Sequence, residues 1–347
     1  MSAPLWSGQP QHTSAGRLYF LQYTDAEGNE YASENTVDDM VSHGPVYSDI
    51  WMSYISDDGR ISVDYRHLEM PQTDENRTYY EVRMEILEDI SFSDFKNDFS
   101  FFSMDGRSVV YDTLGYLDEN NEPVVTNTAK TNREKFHVLG DKSPFVSYSH
   151  APATGDYVNM AVVIKDYALT LSGETITPAV VFTDVFRDGV NYASLSFNLG
   201  EVTLKAGDTI TINMILLPWG SQLNAKDDIS SVLNVRNDTC LDPIKVDVKT
   251  GTLLADPYMP QIKAENGVAE FTLSGADSTM AVRVYGYDDY TKPIIEEYVG
   301  GAWVTYNVAS EKNGYDGYMV YYDGDGTYSF AFIVDMSNGA RTFRVKK

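Results

Sequence analysis

The sequence predicts an all-β protein: a large multi-stranded antiparallel β-sandwich followed by a smaller sandwich. Three observations carry this. Apolar residues recur at every second position in one run after another. Short turn signals containing glycine separate the runs. Few stretches have helical spacing.

The elements follow in chain order. Tyr80, Val82, Met84 and Ile86 alternate with Glu81, Arg83 and Glu85, the pattern of a half-buried strand. Leu87 breaks the alternation, so the strand ends or bulges there. Val158, Met160, Val162 and Ile164 repeat the spacing with a partly apolar opposite face. Ala193, Leu195, Phe197 and Leu199 form another alternating run. Ile210, Ile212 and Met214 lead into a fully apolar stretch, as a central strand does. Asp58-Gly59, Asp105-Gly106, Asp188-Gly189, Ala206-Gly207-Asp208 and Asp325-Gly326 are the turn signals between runs. Two short helices are expected, from Ser91 to Phe101 and from Asp227 to Asn237. In the second, Asp227 and Asp228 suit the positive end of a helix dipole.

A boundary is expected near residues 250–258, where Thr250-Gly251 and Asp256-Pro257 punctuate the chain. Residues 1–250 are too many for one small sandwich and contain no linker, so one large sheet pair is expected there. Residues 251–347 have the size of an immunoglobulin-like sandwich. Their strands are expected at Gln261–Lys263, Ala269–Ser274, Met280–Tyr287, Ile294–Val299, Trp303–Asn307, Tyr318–Tyr322, Thr327–Val334 and Arg341–Lys346.

Composition limits the partners. The chain has 347 residues, 26 Lys plus Arg against 51 Asp plus Glu, and a net charge of −25. Nucleic-acid surfaces rest on clustered cations, so no nucleic-acid partner is expected. No apolar run reaches the ~18 residues of a membrane helix, so no membrane insertion is expected. The single Cys240 excludes an intrachain disulfide framework and a Cys-rich metal site. The first ten residues lack the charged and apolar regions of a signal peptide, and the chain ends just after a strand-like run. These features suggest a thiol-poor piece of a longer exported protein, extracellular or at the cell surface, with flanking domains.

Two segments carry a resemblance. The stretch Gly314-Tyr315-Asp316-Gly317-Tyr318-Met319-Val320-Tyr321-Tyr322-Asp323-Gly324-Asp325-Gly326-Thr327-Tyr328-Ser329-Phe330 resembles the terminal hairpin of immunoglobulin-like modules. Such modules are appended to secreted bacterial multidomain proteins. Residues Pro293 to Val304 fit the same module type. The run from Leu204 to Trp219 resembles part of the large β-sandwich regions attached to carbohydrate-active enzymes. The resemblance implies an accessory region and brings no catalytic residue with it.

Motifs for chemistry are sparse. The histidines His12, His43, His67, His137 and His150 show no local zinc spacing. Asp323 and Asp325, in Asp323-Gly324-Asp325-Gly326-Thr327, place oxygens at alternate positions near glycine, as does Asp25-Ala26-Glu27-Gly28-Asn29. A Ca2+ loop wants such oxygens but also a distal bidentate carboxylate, so each segment reads either as a calcium site or as a hairpin turn. No Gly-x-Ser-x-Gly elbow is present, and Cys240 has no nearby histidine. Tyr65-Arg66-His67 offers the residue types of a polysaccharide lyase without diagnostic spacing. With so many acids, no carboxylate pair for glycoside hydrolysis can be singled out.

The aromatic residues say more. Sugar rings present apolar C–H faces that stack on Trp and Tyr, and their hydroxyls pair with planar polar groups. Trp51 lies in an aromatic, polar stretch, and Trp219 ends an apolar strand beside a polar loop. Tyr285, Tyr287 and Tyr290 cluster around an expected loop of the second domain. Each is a candidate ligand-binding residue or a core residue. The expected function is a non-catalytic carbohydrate-binding or accessory region with a polysaccharide or glycan partner. The alternatives are a polysaccharide lyase or glycoside hydrolase with a cleft in the large sandwich, and a structural spacer or adhesin module.

Overall fold

The computed structural model describes residues 17–32, 37–43, 46–69, 78–105, 113–127, 133–141, 144–150, 158–187, 190–219, 244–256, 258–275, 279–308 and 317–347. Strands dominate it, as the alternation predicts. The described residues contain one helix, the single turn Phe95–Asp98. It interrupts the stretch from Ser91 to Phe101, which is otherwise the strands Ile90–Phe92 and Phe99–Ser100. The helix expected from Asp227 to Asn237 lies outside the described residues.

The chain forms two compact units. The first comprises Met1–Met40, Ile50–His67 and Thr78–Asn237, and the second comprises Val41–Asp49, Leu68–Arg77 and Asp238–Lys347.

The first unit is built on a ten-stranded sheet. Its order is Pro123–Asn127, Thr113–Leu117, Phe145–His150, Val158–Leu171, Thr209–Trp219, Thr78–Ile86, Ile61–Glu69, Ser48–Ile55 and Val37–His43, with Glu174–Ile176 beside Val158–Leu171. A five-stranded sheet runs Arg17–Tyr19, Phe102–Asp105, Val190–Phe197, Val180–Arg187 and Arg133–Val138. The inward residues of both sheets share one core. Tyr80, Val82, Met84, Ile164, Ile210 and Ile212 meet Phe102, Phe182, Leu195 and Phe197 there. The alternation of the Thr78–Ile86 strand is therefore the alternation between core and outer face.

The second unit is a smaller two-sheet sandwich. One sheet runs Lys245–Thr250, Val268–Ser274, Arg341–Lys346, Ile294–Val299 and Ala302–Thr305. The other runs Thr252–Leu254, Gln261–Lys263, Thr279–Tyr287, Tyr328–Asp335 and Tyr318–Tyr322. Phe271 and Phe343 from the first sheet pack with Val282, Phe330 and Phe332 from the second. In an immunoglobulin order the last two strands lie side by side. Here Tyr328–Asp335 and Arg341–Lys346 belong to different sheets, so this sandwich has a strand order of its own. One pair, Gln261–Lys263 with Thr279–Tyr287, is parallel.

Turn chemistry fixes the connections. Gly300 and Gly301, at φ of 61° and 90°, join Ile294–Val299 to Ala302–Thr305 in the doubly left-handed conformation of a two-residue hairpin. Gly251, at φ +105°, stands where the chain leaves one sheet for the other. A Cβ there would sit 2.5 Å from the Lys263 carbonyl oxygen. Gly251→Ala is therefore expected to destabilise the second unit by about 1–3 kcal/mol, read as a lower urea midpoint at unchanged slope. An unchanged midpoint would contradict the close approach.

Candidate functional site

Trp51 stands on the strand Ser48–Ile55, where Met52 and Tyr54 point into the core and Trp51 points to the outer face. Its ring is half-buried. The Arg66 and Arg83 guanidiniums lie 5.7 and 5.8 Å from the ring centre. Glu81 holds Arg83 from the same face and stands 4.0 Å from Arg66. Part of the indole is thus covered by cations of its own sheet. Trp219 ends the strand Thr209–Trp219 opposite Asn159. Its side chain lies outside the described residues.

The three tyrosines of the second unit have different fates. Tyr287 is 1% exposed, packed edge-on against Phe330 at 5.3 Å. Burial pushes its phenol well above the ordinary range. It is a core residue and offers no face to a ligand. Tyr285 is half-buried on the opposite face of its strand. Its hydroxyl donates to Gln261 Oε1 at 2.6 Å, and its ring lies 4.3 Å from the Arg283 guanidinium. Tyr321 covers the same cation at 4.6 Å and stacks on Tyr47 at 5.4 Å. Tyr285 therefore belongs to a packed arginine–tyrosine layer. Tyr290 is 69% exposed.

Tyr290 is not alone. Its ring meets Tyr328 at 6.1 Å, and Tyr328 meets Tyr322 at 5.4 Å. Tyr322 is 61% exposed. Tyr322 and Tyr328 are direct cross-strand partners flanking the Asp323–Thr327 turn, which is why their rings touch. The sequence reading missed both. The signal was present, because hairpin register places the residues on either side of a turn opposite each other.

The acidic candidates of that turn have protein partners. Asp323 Oδ1 accepts from Arg283 Nη2 at 3.0 Å and from Ser329 Oγ at 2.8 Å. Burial pushes its carboxyl up, against the pull of Ser329 and Arg283. Asp325 Oδ1 accepts from the Thr327 N–H at 3.0 Å and the Thr327 hydroxyl at 2.5 Å, closing the turn. In the other calcium-like segment, Asp25 is buried and paired with Arg60 at 2.9 Å. Among the described residues no three His, Cys, Asp or Glu side chains are grouped to hold a metal ion.

The residue types of a lyase are dispersed. Tyr65 is buried in the core with its hydroxyl on Met52 Sδ at 2.9 Å, whereas Arg66 faces Trp51 on the outside. Consecutive strand residues point to opposite faces, so Tyr65-Arg66-His67 does not form one site. A second grouping brings Tyr116 Oη to 3.0 Å from His137 Nδ1. Burial holds the His137 imidazole below its ordinary range. Nearby, Arg133 makes two bonds to Asp184, at 2.7 and 2.8 Å, and its charge is neutralised within the protein.

No family model matches the chain, and no curated protein matches it. Among solved structures it is similar to the galactosidase domain of the alpha-galactosidase-sucrose kinase AgaSK, at 10% identity and a TM-score of 0.39, over 57% of this chain and 29% of that one. It is also similar to the alpha-galactosidase from Lactobacillus brevis, at 12% identity and a TM-score of 0.38, over 63% of this chain and 30% of that one. The chain therefore spans less than a third of the length of either. No helix among the described residues is long and apolar enough to cross a membrane.

Proposed function

We propose that the chain is a non-catalytic carbohydrate-binding accessory region of an exported bacterial protein, with the saccharide held on the Tyr290–Tyr328–Tyr322 strip. One observation carries this reading: a row of three tyrosine rings in which Tyr328 touches both Tyr290 and Tyr322, the outer two more than 60% exposed, at one end of a small sandwich. Burying such rings away from water is the rule for large aromatics, so an exposed row marks a surface that gains by being covered. Tyrosine suits a sugar because its face is apolar and its hydroxyl can donate and accept. The acidic composition supports a glycan over a nucleic acid.

The test is binding of the full chain to a broad polysaccharide panel, followed by titration of the best saccharide. Tyr290→Ala and Tyr322→Ala are each expected to weaken binding by about 1–2 kcal/mol, the scale of an aromatic anchor. Both rings are exposed, so stability is expected to change by less than about 0.5 kcal/mol. Silence across the panel, or binding indifferent to both substitutions, would leave the spacer reading in its place.

A further inference from the structure

Edge strand Tyr318–Tyr322 continues the tyrosine strip toward a cation. Tyr318, Val320 and Tyr322 lie two residues apart and face the same way, opposite Phe332, Phe330 and Tyr328. The partner residues Phe332 and Phe330 are buried, whereas Val320 and Tyr322 are exposed. From Tyr318 to Tyr322 the row spans roughly 14 Å at the ordinary rise of an antiparallel strand. That is longer than a single sugar ring. At its far end Lys292 Nζ sits 4.5 Å from the centre of the Tyr318 ring.

The state of Lys292 differs from that of its neighbours. Asp323 takes Arg283, Glu297 takes Arg341, Glu296 takes both Arg344 and Lys346, and Asp289 takes Lys347. Among the described residues Lys292 has only the Tyr318 ring. A ring contact uses no directed hydrogen bond, so an ammonium placed this way can donate to a ligand lying along the row.

We propose that the strip takes an extended acidic saccharide, its rings laid on Tyr290, Tyr328 and Tyr322 and an anionic substituent of the same chain paired with Lys292. This rests on the carbohydrate reading above and adds the charge class of the ligand. The net charge of −25 does not oppose it at working ionic strength. At about 0.15 M salt, exposed charges beyond roughly 8 Å are largely screened, so the groups beside the row set the local charge: Lys292 at the Tyr318 end and Asp325 in the turn between Tyr322 and Tyr328.

The experiment titrates the full chain by calorimetry at 0.15 M salt with uronate and sulfated oligosaccharides. Each is paired with its neutral counterpart, the methyl ester or the unsulfated chain. The acidic member of the bound pair is expected to bind about threefold tighter, what one exposed ion pair supplies. Lys292→Met is expected to bring the two members level, and Lys292→Arg to keep the difference. Equal binding of acid and neutral forms, or a preference for the neutral form, overturns the acidic assignment while leaving the carbohydrate reading intact. A difference that survives Lys292→Met overturns the assignment to Lys292. No binding to any saccharide overturns both.

Discussion

Replacing Arg60 by methionine is expected to destabilise the first unit by about 3–5 kcal/mol, the loss seen when one partner of a buried ion pair is removed. Arg60 donates to Asp25 at 2.9 Å and binds Asp58 through its Nε. Asp58 also accepts from the Tyr23 hydroxyl at 2.5 Å and from Ser56 Oγ at 2.6 Å. The guanidinium lies 5.0 Å from the centre of the Tyr31 ring. Methionine would keep much of the side-chain volume and leave two carboxylates without their cation. The pH dependence separates this cause from lost packing. Burial pushes the Asp25 carboxyl up, but the Asn29 N–H and the Arg60 guanidinium outweigh it and hold the group at about 2. A carboxyl depressed in the folded state stabilises above its unfolded value, near 3.8, and that stability is lost as pH falls toward about 2. In Arg60→Met the carboxyls gain from protonation instead. The gap between the two proteins in urea unfolding is therefore expected to narrow as pH falls below about 4. A gap below about 1 kcal/mol at pH 7, or one that stays constant into acid, would contradict the ion-pair account.

The same network shows what a sequence can and cannot reveal. Asp58 and Arg60 flank the Asp58-Gly59 turn signal, and Asp25 lies in a segment that reads either as a calcium site or as a hairpin turn, but the Asp25–Arg60 pair joins residues 35 apart in the chain. Local spacing therefore suggested a calcium-like loop at Asp25, and only the fold shows that an internal cation occupies its carboxylate. The strands were legible because burial on one face forces the alternation. Tyr80, Val82, Met84 and Ile86 face the core, and Arg83 and Glu85 are exposed. Glu81 breaks the pattern, buried on the outer face beside Arg66 and Arg83.

The candidate site was half legible for a related reason. Tyr285 and Tyr287 share a parity, so strict alternation would put them on one face. A register shift between Val284 and Tyr287, with Gly286 at φ +89°, inserts one residue and turns Tyr287 into the core. Tyr285 stays outside on Arg283, and Tyr290, beyond the strand, stays in water. A bulge leaves little trace in a hydropathy pattern. The partners of Tyr290 come from a hairpin some forty residues further on, set by sheet order rather than by local spacing.

Phe95→Ala is expected to cost about 3–5 kcal/mol, the range for emptying a fully buried aromatic site. The surrounding phenylalanines explain why the stretch from Ser91 to Phe101 looked helical and why it is not one helix. Phe92, Phe95 and Phe99 are three and four residues apart, the spacing of one helical face. Their rings do meet, Phe95 stacking on Phe99 at 4.5 Å and standing edge-on to Phe92 at 4.9 Å. Yet Phe92 pairs with Val202 and Phe99 with Tyr23, each in a β ladder. Only the turn between them is helical. The outside of that turn is held by tertiary bonds: the Phe95 N–H donates to the Gly200 carbonyl at 3.0 Å, and the Lys96 N–H to Leu199 at 3.2 Å. Such a turn has too few internal hydrogen bonds to stand alone, so the buried Phe95 ring is what docks it. Alanine keeps or raises helix propensity while removing the ring. If propensity held the turn, Phe95→Ala would be neutral in urea unfolding. If packing holds it, the loss is large, and Phe95→Leu recovers most of it by refilling the volume. A loss below about 1.5 kcal/mol for alanine would show that the aromatic cluster does not anchor this part of the sandwich.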